Sequence, residues 1–122
     1  MDRRKFRRLV SEALDTLPGE VRVRMTNVAV IVADEPTAEQ ILGAGLDPRQ
    51  ETLLGLYEGC PLSERGVDFA MALPDRITLF YRPLVDCYRS PVEIREQIRR
   101  TVVHEVAHFV GFDDDEIEDF GY

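Results

Sequence analysis

Residues 90–111 read SPVEIREQIRRTVVHEVAHFVG, and the rest of the chain is best understood from this stretch outward. Ser90 is a strong N-cap, Pro91 suits the first helical position, and Glu93 stands at N3, the capping-box arrangement. Gly111 supplies the left-handed residue that commonly ends a helix. The interval between them predicts one helix of about twenty residues, roughly 30 Å long at 1.5 Å per residue. In its first half, Ile94, Ile98 and Val102 recur at core-facing spacing while Arg95, Arg99 and Arg100 face solvent. From Val102 onward the pattern changes. Val103, Val106, Ala107, Phe109 and Val110 make the helix apolar nearly all round, so it is expected to enter the core with His104, Glu105 and His108.

The flanking segments supply a small sheet and a second helix. Residues 2–17 place Phe6, Leu9, Val10, Ala13, Leu14 and Leu17 at helical spacing, and Pro18-Gly19 ends that run. Residues 27–33 are continuously apolar and β-branched, as expected of a strand buried on both faces. Residues 37–42 read as a short helical turn closed by Gly43 and Gly45. Residues 53–57 read as a second strand, broken by Pro61. Residues 62–75, with Gly66 and Pro74, read as a mobile connection, and residues 76–82 as a third strand ended by Pro83. Internal repeats, low-complexity tracts and linkers able to divide the chain are all missing, so one domain over residues 1–122 is expected.

Composition narrows the function classes. The chain has 122 residues, 44% hydrophobic and 31% charged, which fits one globular domain. Its net charge of −8 argues against sequence-independent nucleic-acid binding, which depends on neutralising phosphates. The charge is uneven: Arg3, Arg4, Lys5, Arg7 and Arg8 cluster at one end, and Asp113, Asp114, Asp115, Glu116, Glu118 and Asp119 at the other. No run approaches the ~18 apolar residues of a membrane span, so no membrane is expected as a partner. The basic start lacks the apolar stretch of an export signal. A cytoplasmic location follows as the expectation, with Cys60 and Cys87 as free thiols.

The chemistry lies in His104-Glu105-Val106-Ala107-His108. Positions i and i+4 stand one above the other on a helix face, so both imidazoles can reach one metal ion with bonds of about 2.0–2.1 Å. They are the only two histidines in the chain. Glu105, about 100° round the helix from His104, points beside the ion, where it can accept a proton from water. Six residues after His108, beyond a chain reversal permitted by Gly111, stands Asp114, the favoured third ligand. Its neighbours Asp113 and Asp115 compete for that role, and either could instead cap a short last helix. The acidic cluster leads us to expect a preference for basic or neutral substrates.

The run His104-Glu105-x-x-His108-x-x-Gly111-x-x-Asp114 resembles the zincin superfamily of zinc metallopeptidases. It is most similar to the small, single-domain bacterial zincin-like metallopeptidases, whose third ligand position carries aspartate. Residues 54–59 with Pro61, Leu62 and Arg65, and then residues 77–83, are also similar to that family. The resemblance implies an α/β (α+β) minimal zincin: a twisted, mixed sheet of three or four strands packed on the N-terminal helix and the motif helix. It implies one Zn²⁺ per chain held by His104, His108 and Asp114, with Glu105 as catalytic acid–base and a peptide or protein as substrate. Larger zincins bind an extended peptide along an edge strand, and residues 53–57 and 77–81 are the candidate edges.

The chain also departs from the larger zincins. Few residues follow Asp114, and Met1, Met25 and Met71 all precede the motif, so no methionine turn underlies the site. Tyr57, Tyr81, Arg82 and Tyr122 are the candidates for stabilising an oxyanion. Two other readings compete with peptide hydrolysis. One is a metal-dependent endoribonuclease of similar histidine spacing, a family that lacks the glutamate at the second position. The other is a non-catalytic domain in which zinc is a folding staple.

Overall fold

The computed structural model describes residues 1–59 and 74–119, with Asp114 described by its backbone alone. The elements are α1 (Arg3–Asp15), α2 (Gly19–Arg24), β1 (Val28–Ala33), α3 (Ala38–Gly43), β2 (Gly55–Glu58), β3 (Asp75–Phe80), α4 (Tyr81–Cys87), α5 (Pro91–Phe109) and α6 (Asp114–Asp119). Most of the connection expected at residues 62–75, together with Cys60 and Tyr122, lies outside the described residues.

Local chemistry accounts for the two long helices. Asp2 caps α1 by accepting the Lys5 N–H at 2.8 Å. The helix buries Phe6, Leu9, Val10 and Ala13 as one stripe and leaves all five of its early basic residues exposed. At the start of α5, Ser90 accepts from the Glu93 N–H at 3.1 Å. The Glu93 carboxylate accepts from Arg89 N–H at 3.3 Å, one residue short of a reciprocal capping box. Ile94, Ile98, Val102, Val103 and Val106 then bury against α1, α4 and the sheet.

Among the described residues the sheet has three strands in the order β1-β3-β2. β1 runs parallel to β3 with Val30 opposite Ile77, and β2 runs antiparallel to it with Gly55 opposite Leu79. This is the small mixed α+β architecture expected, and it corrects several details. The strand buried on both faces is β3, where Ile77, Thr78, Leu79 and Phe80 are all buried. β1 is an outer strand with Ile31 exposed, so its apolar run does not mean that both its faces are covered. For the same reason residues 77–81 are no edge, whereas β2 is an outer strand among the described residues. Pro83 does not follow a strand but sits in the first turn of α4, where the missing N–H costs no helical bond. α2 is likewise unforeseen, because six residues beginning at Gly19 carry too short a pattern to read.

One close contact sets how β2 meets α5. A Cβ built on Gly55 would lie 2.5 Å from Thr101 Cγ2 and 3.2 Å from the Thr78 carbonyl oxygen. Strand and helix therefore approach as nearly as glycine allows. Gly55→Ala is expected to destabilise the fold by about 1–3 kcal/mol, the usual range for overpacking. Adding Thr101→Ser, which removes the obstructing methyl, should recover part of that loss. Chemical denaturation of the two single variants and the double variant measures the coupling, and strictly additive effects would refute the contact as the cause.

Candidate metal centre

The last turn of α5 is shaped by its exit. Val110 is the C-cap, and Gly111 follows with φ +103°, a conformation that disfavours any side chain. The Gly111 N–H donates to the His108 carbonyl at 3.0 Å and the Phe112 N–H to the Ala107 carbonyl at 2.9 Å, the paired bonds of a Schellman end. The chain reverses there and α6 packs back on α5, burying Ile117. Asp113 caps this helix: its Oδ1 accepts from the Glu116 N–H at 2.9 Å, and the Glu116 carboxylate accepts from the Asp113 N–H at 3.4 Å. The capping alternative foreseen for Asp113 is thus the one realised.

His104 and His108 stand one turn apart on α5, with ring centroids 6.2 Å apart and planes crossing at 81°. Paired imidazoles one helical turn apart on one face suit zinc among first-row metals. His104 is half-buried and His108 is exposed. This corrects the expectation that the helix carries the whole motif into the core. Phe109 and Val110 are 54% and 38% exposed, since α5 has passed the packed core by this turn and only Val102, Val103 and Val106 face inward. Among the described residues no group of three histidine, cysteine or acidic side chains converges as a metal site. The side chain of Asp114, the expected third ligand, lies outside the described set.

Glu105 is held by a backbone group of the sheet. Its Oε1 accepts the Tyr57 backbone N–H at 2.9 Å, which ties the helix to β2. The strand register explains why this donor is available. The Phe80 N–H donates to the Leu54 carbonyl, so antiparallel alternation gives the ladder bonds to residues of the same parity as Leu54. Tyr57, of the opposite parity, turns its N–H away from β3. Burial pushes the Glu105 carboxyl above the ordinary range, against the Tyr57 amide bond and the neighbouring charges of His108 and His104, which pull it down.

The motif opens into a cleft of about 330 Å³ between α5 and the approach to β2, lined by Thr52–Gly55 on one wall and by Gln97, Arg100, Thr101, His104, Glu105 and His108 on the other. Gln97 and Arg100 escaped the sequence reading as site residues. The signal was present, because 97, 101, 104 and 108, and likewise 100, 104 and 108, follow one another at helical spacing on a single face. None of the described candidates for the oxyanion lines this cleft. The Tyr57 hydroxyl donates to Asp75 at 2.8 Å and its ring stacks on Phe109 at 4.1 Å. Tyr81 packs edge-on against Phe6 and its hydroxyl contacts the Met1 carbonyl. Arg82 lines a separate cavity beside α3 and α4.

Compared with known proteins, residues 25–122 match the family model of the zincin-like metallopeptidases. The match begins just after α2 and takes in the whole sheet, α5 and α6. No curated protein matches the chain significantly.

Proposed function

The chain belongs to the zincin-like metallopeptidase family, and on that premise we propose that it hydrolyses peptide bonds, with zinc held by His104, His108 and Asp114 and with Glu105 as the proton-transferring group. The observation that carries this reading is the placement of a partly buried carboxylate beside two imidazoles, fixed to an edge strand by a backbone amide. Zinc, when bound there, supplies a Lewis acid that polarises a carbonyl and acidifies water. The donor set fits, since the two imidazoles share one helix face and Asp113, the nearest rival of Asp114, is engaged in capping α6.

The protein's own part is to position groups and move a proton. The Tyr57 N–H holds Glu105 Oε1, and among the described residues no partner is recorded for Oε2. Oε2 can therefore accept a proton during attack and return it to the departing amine. β2, the outer strand beside the cleft, offers the edge along which an extended substrate can lie.

The test is hydrolysis of an unstructured protein such as casein, and of a structured RNA, each with zinc, with chelator, and with zinc restored. The expected result is chelator-sensitive, zinc-restored cleavage of the protein and none of the RNA. Cleavage of RNA alone, or of neither, would contradict the proposal.

A further inference from the structure

The acidic cluster at residues 113–119 led to the expectation of basic or neutral substrates, but the charges that line the cleft have a different balance. Apart from the motif itself, the only charged residue on its walls among the described residues is Arg100. It stands one turn before His104 on α5, on the wall facing Thr52–Gly55, with a side chain 59% exposed. Its Nε lies 3.6 Å from Glu96 Oε1, and the same oxygen receives Arg99 Nη1 at 3.4 Å. One carboxylate is thus shared by two guanidinium groups, leaving a net positive charge at this end of the cleft. No partner of the Arg100 Nη groups is recorded among the described residues.

Residence on the cleft wall separates these two influences. Asp114 apart, which the proposed reading places on the zinc, none of the described side chains of the cluster lines the cleft, whereas Arg100 does. A guanidinium presenting both terminal nitrogens is moreover suited to bidentate pairing with a carboxylate. Next to it, Gln97 and Thr101 add neutral hydrogen-bonding groups on the same helix face.

We propose that Arg100 is a specificity-determining residue that binds an acidic side chain of the substrate, so that the enzyme prefers Glu or Asp at one position on the Arg100 side of the scissile bond. The inference rests on the peptidase reading for its use in catalysis, but the binding preference can be measured separately.

Two experiments test it together. A peptide library is cleaved by the zinc-loaded wild type, by Arg100→Gln and by Arg100→Glu. The wild type should favour an acidic residue at one fixed position by about two- to fivefold, in the range of a partly exposed charge-assisted pair. Arg100→Gln should remove that preference, and Arg100→Glu should turn it toward Lys or Arg at the same position, which loss of structure could not do. In parallel, fluorescence anisotropy on Glu105→Gln measures binding of two labelled peptides that differ only by Glu or Lys at that position. If the library shows no enriched position, or is not cut, the pair is scanned along the peptide. Tighter binding of the Glu peptide, lost when Arg100→Gln is added, would uphold the inference even if no peptide were cut, and the peptidase reading alone would then fail. An absence of charge preference, a basic preference in the wild type, a preference unchanged in both Arg100 variants, or failure to bind either peptide would overturn it.

Discussion

Glu105→Gln is expected to lower kcat/KM for peptide hydrolysis by about 10²–10⁴-fold, the usual contribution of a positioned acid–base, while zinc content and fold are retained. Glutamine keeps an oxygen that can accept the Tyr57 N–H, so the link between α5 and β2 survives. What it loses is the ability to take up and return a proton. The same variant separates an enzyme from a zinc-stapled binding domain, in which the substitution would change nothing catalytic. It also has a consequence for stability in the metal-free protein. Burial raises the Glu105 carboxyl, so the folded chain holds its proton more tightly than the unfolded chain does. The contribution to stability is full below the ordinary carboxyl range and is lost as pH rises through the raised value. Chelated Glu105→Gln should therefore gain stability relative to chelated wild type between pH 4 and pH 8. Denaturation curves at both values check the sign, and an unchanged difference would contradict it.

His104→Ala and His108→Ala are each expected to weaken zinc binding by at least about 100-fold, since even the loss of a group that merely supports a ligand costs 10–100-fold. The two variants should differ in their effect on the metal-free fold. His108 is exposed at the end of α5, so His108→Ala removes less buried surface and should cost the metal-free fold less than His104→Ala. His104 is half-buried in the cleft wall, and its replacement should cost more. Zinc titration followed by denaturation of the chelated proteins measures both effects. Equal affinity of wild type and variants would remove the histidines from the site.

Much of this architecture could be read from local chemistry. The ends of α5 follow from Ser90 and Gly111, whose capping roles depend on their own side chain or backbone freedom. Asp113 as a helix cap, and the Thr37–Gln40 capping box at α3, are signals of the same kind. What could not be read depends on neighbours distant in the chain. Residues 28–33 and 75–80 are both strands of apolar character, and only the pairing order decides that the second is covered on both sides while Ile31 of the first meets solvent. The outward face of the last turn of α5 was concealed for the same reason. Phe109 there stacks on Tyr57, far off in sequence, and does not enter the core. The histidine–glutamate spacing announced the site, but the amide that holds Glu105 is a backbone group and has no residue signature. Nor could composition show that, among the described residues and the motif apart, Arg100 is the one charged side chain lining the cleft: net charge sums over the whole surface, whereas a substrate meets only the walls it touches.

The most direct measurement is zinc titration into chelator-stripped wild-type protein, with stoichiometry read by calorimetry and confirmed by elemental analysis of natively purified material. The proposed assignment predicts one equivalent per chain, with that uptake abolished when His104 and His108 are both replaced by alanine. Uptake far below one equivalent, or one that survives the double replacement, would contradict the assignment of α5 as the metal-binding helix.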